Sequence, residues 1–346
     1  MAEPWPMETE EVPRKNMPMN PNKLPVTVVI PAFNADQYIG EALESIRAQT
    51  VLPAEIIVVD DGSTDRTVAI ASGFGVKLLH QERLGPSAAR NAGIIVATQP
   101  WVAFLDSDDI WEPGKLEAQW AAVRADRDIG AVFTDFIEFD RNGPSPTSFL
   151  SRLSHYKEVG RSEISSGIFL LENESLQIQF NKGNFMRTST LLIRRDLLSQ
   201  VGLFNKEIVL CEDREICLRL FPIAKVAVVE RPLVRYRLTD LSHSSDELKV
   251  SIGAVMVADR VTSDPQKYSS WTVDYYKKQQ PIYYLTAGRL SEASGKIQQA
   301  REYYLGSWRL GGGFRPLGLA ILSCAPAQVR SLVKGMVRLF RKLASN

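Results

Sequence analysis

From Val26 onward, short apolar runs alternate with segments whose apolar residues recur every three or four positions. Residues 26–31, 55–59, 76–79 and 101–105 read as strands, and the last (Trp101-Val102-Ala103-Phe104-Leu105) is apolar throughout, as in a strand covered on both faces. Between them, 35–49 places Ile39, Ala42, Leu43 and Ile46 on one helical face, and 65–72 and 87–97 also predict helices. Such alternation predicts βαβ units and a mainly parallel sheet. One more strand is expected at 130–134. Over 141–183, Ser, Gly, Pro and Asn break the periodicity and predict mobile loops with short helices. Order returns with a strand at 189–193, a short helix from Asp196, a helix at 212–221 and a strand at 226–229. Beyond about residue 245 the strand signals stop, and 245–260, 275–290, 294–305 and 326–343 predict helices.

Composition narrows the class. A chain of 346 residues with 45% hydrophobic and 23% charged residues has the balance of a globular protein with room for two domains. The net charge of +1 offers no argument for nucleic acid as a partner. Cys211, Cys217 and Cys324 match no zinc or redox spacing and read as buried thiols in a reducing compartment. Residues 1–24 hold five prolines, four glutamates and no apolar core of a signal peptide, which predicts a disordered tail and a cytoplasmic protein. No segment has the ~20 apolar residues of a membrane span; 317–324 comes closest. G-x-G-x-x-G after the first strand, G-x-x-x-x-G-K-[ST] and H-E-x-x-H are all missing.

The candidate chemistry lies at strand ends. Asp106-Ser107-Asp108-Asp109 directly follows the apolar run at 101–105. Ligands of open α/β sheets bind beyond the carboxyl ends of the strands, and carboxylates there suit Mg²⁺ or Mn²⁺ bridging to phosphate. The plainer alternative is an acidic turn in which Asp109 caps the next helix. A second acidic motif, Asp60-Asp61-Gly62-Ser63-Thr64-Asp65, follows the second strand. Asp60 and Asp65 suit turn and cap roles, whereas the Asp61 carboxylate can accept a hydrogen bond from a nucleobase ring N–H.

Four segments in this order, Val26–Asn34 (VTVVIPAFN), Asp60–Asp65 (DDGSTD), Ala89–Gly93 (ARNAG) and Asp106–Asp109 (DSDD), resemble a family 2 inverting glycosyltransferase over about residues 25–125. The resemblance implies an α/β fold of GT-A type, a Rossmann-like mixed sheet flanked by helices. It divides the chain into the tail 1–24, a GT-A domain 25–240 and an α-helical C-terminal extension 241–346. It also implies a nucleotide-sugar donor, Mn²⁺ or Mg²⁺, and inversion at the anomeric carbon. Carried onto this chain, Pro31 and Phe33 border the donor nucleotide, Asp61 reads the base, Asp106 lies near the ribose and Asp108 binds the metal. Arg83 and Arg90 could neutralise pyrophosphate; Arg90 could equally be salt-bridged below the site. Val201-Gly202-Leu203-Phe204 and the acidic pair Glu212-Asp213 resemble the family's turn and catalytic helix, with Asp213 as the base that takes the acceptor proton. Cys211 before the pair is expected to be inert. Arg237, in Arg235-Tyr236-Arg237, resembles the family's arginine after the last strand, with Ser242-His243-Ser244 as a loop over the diphosphate. Asp135 is either a contact to the sugar or acceptor or a strand-end acid.

From Pro326 to the C-terminus there is no acid, and basic residues alternate with Leu, Val, Met and Phe. This predicts a basic amphipathic helix, either laid on an anionic membrane or packed on the catalytic domain. The function expected is sugar transfer from a UDP-sugar to a glycan or lipid-linked acceptor in cell-surface polysaccharide synthesis. A nucleotidyltransferase and a non-catalytic nucleotide-sugar-binding module are the alternatives.

Overall fold

The computed structural model describes residues 23–239 and 246–326, with Val329. The loop at 242–244 and the basic segment after Pro326, apart from Val329, lie outside the described residues. In chain order the elements are β1 (Lys23–Ala32), α1 (Ile39–Arg47), β2 (Leu52–Asp60), α2 (Thr67–Ser72), β3 (Lys77–His80), α3 (Pro86–Val96), β4 (Trp101–Phe104), β5 (Ile110–Trp111) and α4 (Lys115–Ala125). There follow β6 (Ile129–Asp140), β7 (Gly143–Pro144), α5 (Phe149–Arg152), α6 (Ser154–Lys157), β8 (Arg161–Ser165), β9 (Ile168–Leu171) and α7 (Asn173–Lys182). The second half adds β10 (Leu192–Arg194), α8 (Arg195–Val201), α9 (Glu212–Leu220) and β11 (Lys225–Arg237). Four helices close the described chain: α10 (Glu247–Ser263), α11 (Ser270–Ala293), α12 (Ile297–Arg309) and α13 (Phe314–Leu322).

One sheet in the order β3-β2-β1-β4-β10-β6-β11-β9-β8 organises all of this. Its first four strands run parallel, as the βαβ pattern predicts. It then becomes mixed, because the short β10 enters antiparallel between β4 and β6, β9 adds antiparallel to β11, and β8 adds antiparallel to β9. The sheet is therefore less parallel than the alternation alone suggests. Several boundaries shift as well. The first strand begins at Lys23, two residues inside the expected tail. Thr188–Thr190 is a 3-10 turn, so the strand expected at 189–193 shrinks to β10. The segment 141–183 holds three strands and helix α7, whose pairing depends on β6 and β11 rather than on local pattern. Of the cysteines, Cys217 is buried, Cys211 half-buried and Cys324 exposed, which corrects the expectation for the last.

Apolar side chains fill both sides of the sheet. On one face, Ile39, Leu43 and Ile46 of α1 and Leu116 and Ala122 of α4 pack on Val28, Ile30, Ala103 and Val132. The other face gathers Ile94 of α3, Phe180 of α7, Leu198 of α8 and Ile216 and Leu220 of α9, with Val257 of α10 and Tyr276 of α11 behind them. A buried network fastens the helical extension to the sheet domain. Arg219 donates to both carboxylate oxygens of Glu215 and to the carbonyls of Val201 and Leu203, while the Tyr268 hydroxyl donates to Glu215 at 2.5 Å. Among the described residues, no helix is long and apolar enough to cross a membrane.

The ARNAG segment shows why its residue types are needed. A Cβ on Gly93 would stand 2.4 Å from Cγ1 of Val29, so only glycine lets α3 lie this close to β1. Valine cannot swing clear, because its branched side chain is itself buried. Gly93→Ala should therefore lift α3 from the sheet and lower stability by about 1–3 kcal/mol. A lowered midpoint in urea at unchanged slope checks this; an unshifted midpoint refutes the close-packing account.

Candidate active site

The parallel register brings three strand ends to one edge. Ala32 pairs with Asp60 and Val29 with Phe104, so Phe33, Asp61 and Asp106 leave β1, β2 and β4 side by side. Asp60 accepts from the Ser63 amide, and Asp65 accepts from the amides of Thr67 and Asp36, so both serve the turn into α2. Asp61 is differently placed. Its buried carboxylate accepts from Gln81 Nε2 (2.6 Å) and the amides of Leu84 (2.8 Å) and Gly85 (2.9 Å). One oxygen takes just the Gly85 bond and keeps a lone pair. Pro31 is buried in the strand, and the half-buried Phe33 ring carries the exposed Arg83 guanidinium 4.4 Å above its centroid.

The three aspartates after β4 have three different environments. Asp106 Oδ1 accepts from Arg90 at 2.7 Å, and its amide donates to Ser189 Oγ. Asp109 is fully enclosed: Oδ2 accepts from the Ser189 hydroxyl (2.6 Å) and Oδ1 from the Arg237 amide (3.0 Å). It does not cap the next helix, which begins at Lys115 after Gly114. It fastens the acidic turn to the end of β11 instead. Asp108 stays half-exposed, and burial together with the Asp106 charge pushes its carboxyl up to about 6.

The second acidic pair meets the first at Arg90. Only 4% exposed, this guanidinium donates to Asp106 at 2.7 Å and to Glu212 Oε1 at 2.8 Å. The geometry thus takes the structural of its two sequence readings, since Arg90 is spent on protein carboxylates. Burial pushes the Glu212 carboxyl up, Arg90 draws it back, and neighbouring Asp213 pushes it up again. Asn91 fixes the approach: its side chain accepts from the Phe204 amide and donates to the Phe204 carbonyl. Gly202, at φ 90°, ends α8 and permits that turn.

Asp213 sits half-buried in the first turn of α9. Its Oδ1 accepts from the Arg214 amide and its Oδ2 from Asn184 Nδ2 at 3.3 Å. Cys211 precedes the helix at φ 68°; burial and the charge of Asp213 push its thiol up to about 12, so it stays an un-ionised thiol. Arg237 closes the cleft from β11. Its side chain donates to the Asp108 carbonyl (2.8 Å) and Glu41 (2.6 Å) and lies 4.9 Å over the Tyr38 ring. Asp135, in contrast, is buried and accepts from the amides of Phe136 and Leu150, a strand-end acid. Asn184, Ser189 and Glu41 were not singled out from the sequence. Asn184 follows directly on the least periodic stretch, Ser189 opens an expected strand, and no local signal marks any of the three.

The sequence profile of Glycosyl transferase family 2 matches residues 27–202, half of the chain. The chain belongs to this family. It is therefore a glycosyltransferase. Glycosyltransferase GlyG of Streptococcus pneumoniae is 30% identical over 187 residues, which cover 52% of this chain and 60% of GlyG. Amylovoran biosynthesis glycosyltransferase AmsB of Erwinia amylovora is 27% identical over 81% of this chain and 90% of its own length. Among solved structures, S. aureus TarS 1–349 in complex with UDP-GlcNAc superposes with a TM-score of 0.57 at 18% identity, covering 90% of this chain and 91% of that one. Mannosyltransferase PcManGT from Pyrobaculum calidifontis, in complex with GDP-Man and Mn²⁺, superposes with a TM-score of 0.52 at 19% identity, covering 86% and 84%. These likenesses support the GT-A fold, a mixed sheet flanked by helices with a helical C-terminal region.

The acidic edge of this family 2 glycosyltransferase suits a divalent cation. Among the described residues no group of three or more His, Cys, Asp and Glu is arranged to enclose a metal. A Mg²⁺ or Mn²⁺ that keeps waters and binds substrate phosphates needs just one or two protein carboxylates. Asp108, half-exposed and with its carboxyl raised by burial and by Asp106 despite the pull of Arg237 and Arg90, fits that demand.

Arg90→Gln should leave Asp106 and Glu212 facing each other uncompensated and cost about 3–5 kcal/mol. The check is a thermal melt of the variant beside the double variant Arg90→Gln, Glu212→Gln. The double variant should recover part of the loss, and equal melting of wild type and Arg90→Gln refutes the bridge.

Proposed function

We propose that this glycosyltransferase is a metal-dependent, inverting enzyme that moves a sugar from a nucleotide-diphosphate donor, a UDP-sugar, to a glycan or lipid-linked acceptor in cell-surface polysaccharide synthesis. The observation that carries the reading is the convergence of Asp61, the Asp106–Asp109 turn and Asp213 on one sheet edge, with Arg90 tying the last two motifs together. The printed name of AmsB supports the polysaccharide context, and the UDP-GlcNAc held by TarS supports the donor class.

In this mechanism Asp61 accepts from the base N–H with the lone pair that the 81–85 loop leaves open. The half-buried Phe33 and the Arg83 stacked on it wall the nucleotide. Asp108 would hold Mn²⁺ or Mg²⁺, which would supply positive charge against the leaving diphosphate, and Asp106 lies toward the ribose. Arg237 stands beside Asp108 and can exchange its exposed Glu41 partner for a phosphate oxygen. The Asp213 carboxylate takes the acceptor hydroxyl proton as the acceptor oxygen bonds to the anomeric carbon and the bond to the diphosphate oxygen breaks on the opposite side. Asn184, donating to Asp213, holds the carboxylate in position.

Asp213→Asn should lower kcat by about 10²–10⁴-fold, while UDP binding measured by calorimetry stays within about twofold. Turnover at the wild-type rate would remove Asp213 from the role of base. Asp108→Asn should instead abolish the Mn²⁺ dependence of UDP binding. A screen of UDP-, GDP- and TDP-sugars for Mn²⁺-dependent donor hydrolysis identifies the base. Preference for a purine donor overturns the uracil assignment at Asp61.

A further inference from the structure

Helix α13 is apolar on two opposite faces. Pro316 and Ala320 are buried, and Ala320 packs with Ala300 and Tyr304 of α12. The far side carries Phe314 and Ile321, seven residues apart and so on one line along the helix, and these are 85% and 66% exposed. Leu317 lies between them, half-buried, and Arg315 is the sole charged residue of the helix. At the end of α12, Trp308 and Leu310 are each 40% exposed, and Gly311–Gly313 turns the chain directly from them to Phe314. Scattered exposed apolar residues need no explanation, whereas a run this continuous does.

The charge of the chain that carries the patch indicates what covers it. From Tyr303 to the C-terminus the chain has seven Lys and Arg residues and no Asp or Glu, an excess that the near-neutral chain as a whole does not share. Arg309 and Arg315, both exposed, stand within the patch itself. A second copy docking here would bring the same positive charge and repel. The surface of an anionic bilayer answers both features, because its acyl boundary takes Phe, Ile and Trp while its phosphates take Arg and Lys. We infer that the α12–α13 corner is a docking surface for anionic lipid, which places the enzyme on a bilayer.

The test is co-sedimentation of the full chain with phosphatidylcholine vesicles, with or without an equal part of phosphatidylglycerol. Wild type should pellet with the phosphatidylglycerol vesicles and be released by salt. The double variant Phe314→Ser, Ile321→Ser should partition at least about tenfold more weakly, with an unchanged thermal melt, since both side chains are exposed. Arg309→Gln with Arg315→Gln should weaken binding to the anionic vesicles alone. Trp308 supplies an independent readout: a blue shift of fluorescence on adding anionic vesicles, absent in Trp308→Phe. Wild type left in the supernatant, a double serine variant that sediments like wild type, or an unshifted Trp308 signal overturns the inference.

Discussion

The site depends on one buried guanidinium between two carboxylates. Arg90 reaches out of α3 to Asp106 at the end of β4 and to Glu212 at the start of α9. None of the three could be held there alone, because a lone ion out of water costs several kcal/mol. Together they join two acidic motifs more than a hundred residues apart in the chain. Burial weakens the hold of Arg90 on its proton, but the two carboxylates outweigh it and keep the group charged. The anchor is itself anchored. Gly93 lets α3 press onto β1, and Asn91 clamps the turn at Phe204 that leads toward α9.

Around this bridge, similar residues are separated by environment rather than by type. Asp106, Asp108 and Asp109 are near neighbours in the chain, yet one is ion-paired, one half-exposed and one enclosed by Ser189 and the Arg237 amide. Asp109 uses its carboxylate to pin the turn to β11, which leaves Asp108 facing the cleft. Asp60 and Asp61 divide in the same way: one serves the turn, the other meets the 81–85 loop. The helical extension takes part as well, since Tyr268 donates to Glu215 within α9, the helix that carries Asp213. Loosening the helical extension would therefore disturb α9 without touching the cleft.

Much of this was legible in the sequence, and the rest was not, for physical reasons. The alternation of apolar strands with amphipathic helices determined β1 to β4 and α1 to α3, because period-2 and period-3.6 patterns are local properties. The acidic motifs, read in order, marked the sheet edge where the structure gathers Asp61 and Asp106, since a strand-end position follows from a strand followed by carboxylates. Tertiary structure alone decided what depends on partners distant in the chain. It inserted β10 antiparallel into the sheet, made a strand of 168–171 by pairing it with β11, and brought Asn184 to Asp213 and Ser189 to Asp109. It also chose between the two roles open to Arg90. No pattern near Arg90 encodes Glu212, 122 residues away. Residue types at strand ends state what chemistry is available, but which carboxylate is spent on the scaffold is decided only when the chain closes and each charge must find a partner out of water.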